Sequence, residues 1–391
     1  MAVSNIILWD GPSRENLLPF TYTRPVADIR VGILTIREKY EYYFKTKTSF
    51  LTQDYLAQKF PTNIEADNLL FNAAVIPNAE LLQALLSLQN AQTLWQGDDF
   101  IAGRFDEIQI ANYSEYLNIN KISYSGTLSK LDAIWKIFLL NDQEIKSDFK
   151  LITQGRTSQK IHESNFVLGS ELIFIEEGAH VYHASLNAST GPIYIGKDAE
   201  VMEGALIRGP FALGEHSTLK LGAKIYGATT IGPHCKVGGE VSNSVFFGLS
   251  NKAHDGFIGN AVIGEWCNIG ADSNNSNLKN NYEEVKVWSF AEKTFVKTGL
   301  QFCGLFLGDH SKCGINTMFN TGTVVGVSSN IFGGGFPRTF IPSFSWGGAS
   351  GLTDYKIDKA FETAAKVMER RGLVLDAQEK SILTHIYTHY K

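Results

Sequence analysis

The sequence predicts an α/β head, an all-β solenoid body and a helical tail. Three patterns carry that division: a hexapeptide register in the middle of the chain, buried-strand and helical patterns alternating before it, and helical periodicity after it. Ile195, Val201, Ile207, Leu213, Leu219, Ile225, Ile231 and Val237 fall at every sixth position without a miss. With roughly a quarter of positions aliphatic, eight hits in register arise by chance on the order of once in ten thousand or less. Four places on from the first seven stand Ala199, Ala205, Phe211, Ser217, Ala223, Thr229 and Cys235, nearly all small, and Gly follows the aliphatic at 196, 214, 232 and 238. Such a repeat means a parallel β-helix. Each unit is a short strand plus a tight corner, the aliphatic points inward, the small residue fits at the bend, and stacking supplies a core that no rung has alone.

The register returns twice. Phe257, Ile263 and Ile269 are six apart, as are Leu307, Cys313, Phe319, Val325 and Ile331. The three phases disagree, so segments are expected to be inserted between Val237 and Phe257 and between Ile269 and Leu307. Insertions in a solenoid leave as loops, often on the functional side.

The remaining elements follow in order. Residues 1–112 read as the α/β head, with a buried strand at Ile6–Trp9, a helix over 33–44, a second strand over 69–76 and a helix over 77–88. Residues 113–164 form a connector, with an amphipathic helix over 129–145 that places Leu131, Ile134, Trp135 and Phe138 on one face. The solenoid occupies 165–335. Residues 336–391 hold the end of a Gly/Phe/Pro-rich loop and a helical tail from Ile357 to Lys391 with a break at Gly372.

The chain has 391 residues, 44% hydrophobic and 19% charged, enough for two or three domains and an ample core. A net charge of -5 argues against nucleic-acid or anionic-membrane partners. The opening Met1–Gly11 stretch lacks a basic n-region and a long apolar run, and no stretch approaches membrane-spanning length, so a cytoplasmic protein is expected. Cys235, Cys267 and Cys313 occupy repeat positions and no C-x-x-C occurs, so the four cysteines, Cys303 included, read as packed thiols rather than metal ligands.

Chemistry concentrates around the insertions. The first ends in Ser250-Asn251-Lys252-Ala253-His254-Asp255-Gly256-Phe257, and Asn268-Ile269-Gly270-Ala271 follows. The second opens with Asn274, Asn275, Asn277, Asn280 and Asn281, a hydrogen-bonding lining suited to a polyhydroxylated ligand. An asparagine run also serves as a solvated turn or a stacking ladder. A lone His is more often structural than catalytic, but His254 lies in a polar segment beside Lys252 and Asp255. His234 and His310, within coils, read as structural or rim residues.

These motifs resemble the acetyltransferase half of the GlmU family, in which glucosamine-1-phosphate N-acetyltransferase is joined to N-acetylglucosamine-1-phosphate uridyltransferase. The stretch Ser250–Lys286 is similar to archaeal-type members, as are Gly209-Pro210-Phe211-Ala212 and Leu307–Thr317. The likeness covers most of residues 190–335, and the chain looks most like a Bacteroidetes-type branch with a shortened N-terminal half. The resemblance implies a left-handed coil, a cytoplasmic homotrimer with active sites at subunit seams, and acetyl-CoA as acyl donor to an amino-sugar 1-phosphate. It implies His254 as general base, a task an imidazole suits near neutral pH. Asn268 and Asn277 would hold sugar hydroxyls or the acetyl group, and Lys286 the phosphate, with Arg208, Lys224 and Lys252 as other candidates. Phe257 stands in the substrate contact where the family has Tyr, and Ile315 where it has a small Ser that contacts the coenzyme. Coenzyme A would lie along the later coils near Lys312, Asn316, Gly333 and Arg338.

The same resemblance makes the head a short nucleotidyltransferase-like, Rossmann-like domain. Its phosphate loop would be Asp10-Gly11-Pro12-Ser13-Arg14 with Thr23-Arg24-Pro25, and Arg14, Arg24 and Arg30 would meet a nucleoside triphosphate such as UTP or dTTP. Mg²⁺ is expected only if the head is active. Where the family's metal-binding strand ends in Gly-Asp this chain has Phe71-Asn72-Ala73, with Asp98 and Asp99 as nearby alternatives. Three functions stay open: an amino-sugar-phosphate N-acetyltransferase, a sugar-1-phosphate nucleotidyltransferase that uses the β-helix for oligomerisation, and a non-catalytic scaffold.

Overall fold

The computed structural model describes residues 5–390. Met1–Ser4, at the start where no signal pattern is read, and Lys391, the end of the expected tail, lie outside the described residues. Two compact units emerge. The first holds the chain up to Leu17, Thr23–Ile29 and Leu34–Ala133; the second holds Leu18–Tyr22, Arg30–Ile33 and everything from Ile134 on. The head thus runs to Ala133, past the boundary expected at 112.

In the head, the buried run Ile6–Leu8 makes a strand, β1 (Asn5–Trp9), flanked in parallel by β2 (Thr48–Leu51) and β3 (Asn68–Asn72). The sheet continues beyond β3 with Asp99–Phe105 and Gln92–Gln96, both antiparallel additions, then Lys121–Ser123. The first helix covers Ile36–Phe44, starting later than expected because Thr35 and Glu38 form a reciprocal capping box. Asn78 caps the next helix, Ala79–Leu86. The single strand expected over 69–76 is two pieces. It breaks after Asn72, whose side chain accepts from the Ala74 amide, and Val75–Ile76 then pairs with Ser129–Lys130. That pairing draws 129–130 into extended chain, so the helix expected from 129 begins only at Lys136 and runs to Thr153.

The second unit is the parallel β-helix. Partners in adjacent coils lie eighteen residues apart: Ile195 on Leu213 on Ile231, Val201 on Leu219 on Val237, Ile207 on Ile225. All eight aliphatics of the opening register are buried in one continuous core, and the small positions between them are buried as well. Each inward Ile, Leu or Val contributes roughly 1.5–3 kcal/mol by leaving water. Three faces result. Among the described residues, face one has nine strands from Ile173–Ile175 to Phe340–Ile341, face two ten from His180–Val181 to Gly351–Asp354, and face three six from Phe166–Leu168 to Phe257–Gly259. Solenoid strands therefore continue beyond residue 335, and part of the expected Gly/Phe/Pro-rich loop is a further coil.

One expectation is overturned. The phase change after Val237 is a contraction, not an insertion. Ile231 pairs with Phe246, Val237 with Lys252 and Ile225 with Val241, only 15, 15 and 16 residues apart, and the next coil follows at 17 (Val241 with Ile258, Phe246 with Ile263). Two tightened coils shift a hexapeptide phase just as an added loop does. Ile258, not Phe257, is the inward residue of its strand. The second insertion is real: Ile263 pairs with Leu307, 44 residues on, and the excess leaves as an arm carrying the hairpin Lys286–Ser289/Thr294–Lys297.

Face one is covered by Lys136–Thr153. Asn141 on that helix is fully buried; its side chain accepts from Gly32 N–H (2.8 Å) and Thr230 Oγ1 (3.0 Å) and donates to Ala228 C=O (2.8 Å). Against face two lies the tail, the helices Ile357–Glu369 and Ala377–His389 broken around Gly372 as expected. Arg371 donates to the His234 carbonyl and to Asn251 Oδ1. His234 and His310 stand at coil corners with φ of 57° and 60°, in line with a structural role. All four cysteines are buried free thiols. Among the described residues no helix is long and apolar enough to cross a membrane.

Candidate functional site

His254 is exposed at the corner between faces two and three. The strand before it, Asn251–Lys252, ends face two, and Phe257–Gly259 begins face three. Glycines let the adjacent coils close on this corner. A Cβ on Gly239 would lie 2.8 Å from the His254 carbonyl oxygen, and one on Gly256, at φ +115°, would lie 2.2 Å from Ser273 O. In the two following coils the equivalent corner position, two past the inward residue, holds Ala271 and the exposed Ile315.

The asparagine run braces the corner's exit. Asn274 Oδ1 accepts from Phe257 N–H (2.7 Å), buried Asn275 bonds both N–H and C=O of Gly259 (2.9 Å each), and Asn277 Nδ2 donates to Asn260 Oδ1 (2.8 Å). Asn274 and Asn275 thus spend their side chains on the backbone of the coil before, and the ladder alternative is met at the half-buried Asn277 on Asn260, at the far end of the face-three strand from His254. The inserted arm leaves the coil just past Asn275. On its hairpin, exposed Lys286 is directly opposite Lys297.

Other sequence candidates scatter. Asn268 is exposed on face two in register with Asn251 and Lys312, not on the corner with His254. Arg208 and Lys224 point outward on face three, lining a depression of about 600 Å³ with Asn187, Tyr226 and Glu240; three strand steps separate Arg208 from Phe257, about 14 Å. Phe257 is half-buried at the start of its strand. Gly333 and Arg338 are exposed past the last Ile of the repeat, and Asn316 turns its corner at φ 57°.

Two lysines require correction. Lys252 is 1% exposed and turned inward, its ammonium donating to the carbonyls of His254 and Asp255, so it is no phosphate ligand. Lys312 donates to the His310 carbonyl (2.8 Å) beside residues Ala360, Thr363 and Ala364 of the tail helix, which turns it away from a coenzyme phosphate. Burial pushes each ammonium down to about 8. Arg30 also leaves the candidate set: it belongs to the second unit and donates to Phe247 and Ile33 carbonyls.

The head holds a second cluster, at the carboxyl ends of β1 and β2, where open parallel sheets bind ligands. Asp10 is 2% exposed; Oδ1 accepts from Val26 N–H (2.7 Å) and Oδ2 from Thr52 Oγ1 (2.6 Å), with Arg14 Nε at 3.5 Å. Arg14 also reaches Tyr55 OH (2.7 Å) and Glu15 (3.0 Å), and Arg24 is buried too. Both arginines are closed over, so an incoming phosphate must displace protein partners. Asp99, an alternative metal carboxylate, is paired with Lys130. Thr52, Tyr55 and the partner role of Asp10 escaped sequence reasoning, since nothing local marks residues forty positions apart as neighbours.

Residues 6–157 match the sugar nucleotidyl transferase family. The match takes in β1 from Ile6 on, and all of β2 and β3. The chain is also similar to the bifunctional sugar-1-phosphate nucleotidylyltransferase/acetyltransferase of Sulfurisphaera tokodaii, 34% identical over 146 residues, 37% of this chain and 36% of that protein. It is similar to the bifunctional protein GlmU of Methanococcus aeolicus, 33% identical over 90 residues, 23% of this chain and 21% of that protein. The matches thus span about a third or less of those relatives' length. Among solved structures, the polySia-specific acetyltransferase NeuO aligns at 13% identity over 45% of this chain and 79% of its own, with a TM-score of 0.26.

A divalent cation, expected only with an active head, would need free carboxylate oxygens at the Asp10 cluster. Mg²⁺ takes carboxylate oxygens with free lone pairs and keeps several waters. Asp10's oxygens are taken by Val26, Thr52 and Arg14 out of reach of water, so this set does not fit the cation. Burial, chiefly, pushes the Asp10 carboxyl up to about 6, against the lowering pull of Thr52, Val26 N–H and Arg14. A carboxyl raised in the folded state contributes stability that is full below its unfolded value and lost as pH rises through about 6. Asp10→Asn is expected to erase this slope: the stability of wild type relative to the variant should fall by about 3 kcal/mol between pH 3.5 and 7.5. Urea unfolding followed by tryptophan fluorescence at both pH values checks it; a constant difference defeats the assignment.

Proposed function

We propose that the solenoid transfers an acetyl group from acetyl-CoA to the amine of an amino-sugar 1-phosphate, glucosamine 1-phosphate in the first instance, with His254 as general base. The observation that carries this reading is an exposed imidazole on a corner that is otherwise pinned by backbone and asparagine hydrogen bonds. His254 accepts a proton from the attacking amine; the new C–N bond forms at the thioester carbonyl, and collapse of the tetrahedral intermediate breaks the C–S bond to release coenzyme A as its thiol. Asn277, one short strand away from the corner at Asn260, is suited to a sugar hydroxyl, and the paired Lys286 and Lys297 to the phosphate. Asn316, Gly333 and Arg338, exposed on later coils, are suited to coenzyme A. A cytoplasmic homotrimer belongs to the same reading: face three exposes Phe166, Leu168, Leu206 and Tyr226 among Arg208, Lys224 and Glu240, a mixture fitted to a second copy.

The family match over residues 6–157 favours a second reading, in which the head joins a nucleoside triphosphate to a sugar 1-phosphate. One assay separates the two. With glucosamine 1-phosphate, acetyl-CoA, UTP and Mg²⁺ supplied, free thiol and pyrophosphate are followed independently. Thiol release alone is the expected result. Pyrophosphate without thiol, in the presence of N-acetylglucosamine 1-phosphate, transfers the activity to the head and reduces the β-helix to a scaffold.

A further inference from the structure

Lys252 occupies a place the coil pattern reserves for an aliphatic. It pairs in register with Val237 of the coil before, and Ile269 and Cys313 follow in the same inward column. A lysine there forfeits the apolar burial its neighbours contribute, and its ammonium is taken out of water. Its nitrogen is spent on two backbone acceptors only, the carbonyl oxygens of His254 and Asp255 (3.1 Å for the latter). These are the corner residues whose outward side chains the coil presents to solvent.

We propose that Lys252 is a positioning residue: its buried ammonium clamps the backbone of the corner from inside the coil and thereby fixes where the His254 imidazole points. This rests on His254 being the base of the proposed acetyl transfer, yet the clamp is testable without that reaction. Hydrogen bonds from an ion to two consecutive carbonyls restrict both peptide planes at once, and a charge-assisted bond is roughly twice as strong as a neutral one. An aliphatic at 252 would pack as well or better but leave those carbonyls to mobile water. The groups facing the ammonium are the Asp255 and Asp272 carboxylates and the Cys313 thiol, and burial outweighs them in pushing its titration down to about 8. The clamp therefore weakens as pH rises through that value.

The experiment compares wild type with Lys252→Met by three readouts. Hydrogen exchange of the 253–257 amides is expected to accelerate at least about tenfold in the variant, while the melting temperature is unchanged or raised, since a buried charge is replaced by a side chain of like volume. In wild type, exchange of the same amides, corrected for intrinsic pH dependence, should also accelerate between pH 7 and pH 9.5. In the acetyl-transfer assay kcat should fall about tenfold or more with KM for acetyl-CoA within about twofold. Unchanged exchange at 253–257, or a melting temperature that falls with it, makes Lys252 an ordinary structural residue and overturns the clamp. If wild type itself transfers no acetyl group, the proposed function fails, and the exchange data still decide the clamp.

Discussion

His254→Ala is expected to lower kcat for acetyl transfer to glucosamine 1-phosphate by about 10²–10⁴-fold, the range that a positioned general base supplies. KM for acetyl-CoA should move little, because the imidazole acts on the amine and not on the coenzyme. The fold should not register the change. The side chain is exposed, and the corner's shape is set by other groups: the Gly239 and Gly256 approaches, the Lys252 ammonium and the Asn274–Phe257 bond. A melting temperature within about 1 °C of wild type is therefore expected. Raising pH should rescue part of the loss, since solvent base then takes the amine proton. Steady-state kinetics from pH 6.5 to 9.5 on both proteins check this. Undiminished kcat in the variant removes His254 from the mechanism.

How much of this was legible in the chain differs by scale. The β-helix was written in its period: Ile195 to Val237 declare inward positions because a coil of three hexapeptides brings every eighteenth residue into register. The direction of the phase change after Val237 was not legible. A shift by a non-multiple of six arises from residues added or removed, and local sequence at Gly238-Gly239 reads as a loop either way. The same ambiguity hid Lys252, which reads as a polar residue of a loop until the register sets it beneath Val237. Helix starts were misplaced where tertiary contacts outbid periodicity, as where Ser129–Lys130 pairs with Val75–Ile76.

The candidate site shows the same division. His254 stands out by residue type and surroundings, and the structure adds that it is exposed at a corner. The asparagine run drew attention for polarity, yet Asn274 and Asn275 spend their side chains on the coil beneath, which only three-dimensional stacking reveals. In the head, Asp10 and Arg14 are four residues apart in one short segment, but their enclosure by Thr52 and Tyr55 depends on β2 lying beside β1. Distance along the chain, not weakness of the interactions, kept these groups out of view.

The largest loss of stability is expected from Asn141→Leu. Asn141 sits mid-way along Lys136–Thr153, where the apolar stripe of that helix would suggest an aliphatic, and leucine matches its shape closely. Shape is not its contribution. Its amide ties three separate pieces of the second unit: the Gly32 N–H, the Ala228 carbonyl and the Thr230 hydroxyl, each between 2.8 and 3.0 Å away and each buried from water or nearly so. Leucine leaves a donor and an acceptor of the main chain without partners, and each buried orphan costs about 1–3 kcal/mol. Gly32 offers no relief by shifting. At φ +83° it already packs so tightly that a Cβ would lie 2.4 Å from Asp148 Oδ2, and Ile33 N–H is held by that same carboxylate at 2.8 Å. A total of about 3–5 kcal/mol is therefore expected for Asn141→Leu, against less than about 1 kcal/mol for substitution of the exposed Leu139 on the same helix. Chemical denaturation of the two variants beside wild type measures both. If Asn141→Leu proves as stable as wild type, hydrophobic gain outweighs the lost hydrogen bonds, and the segment Arg30–Ile33 is held by Asp148 rather than by Asn141.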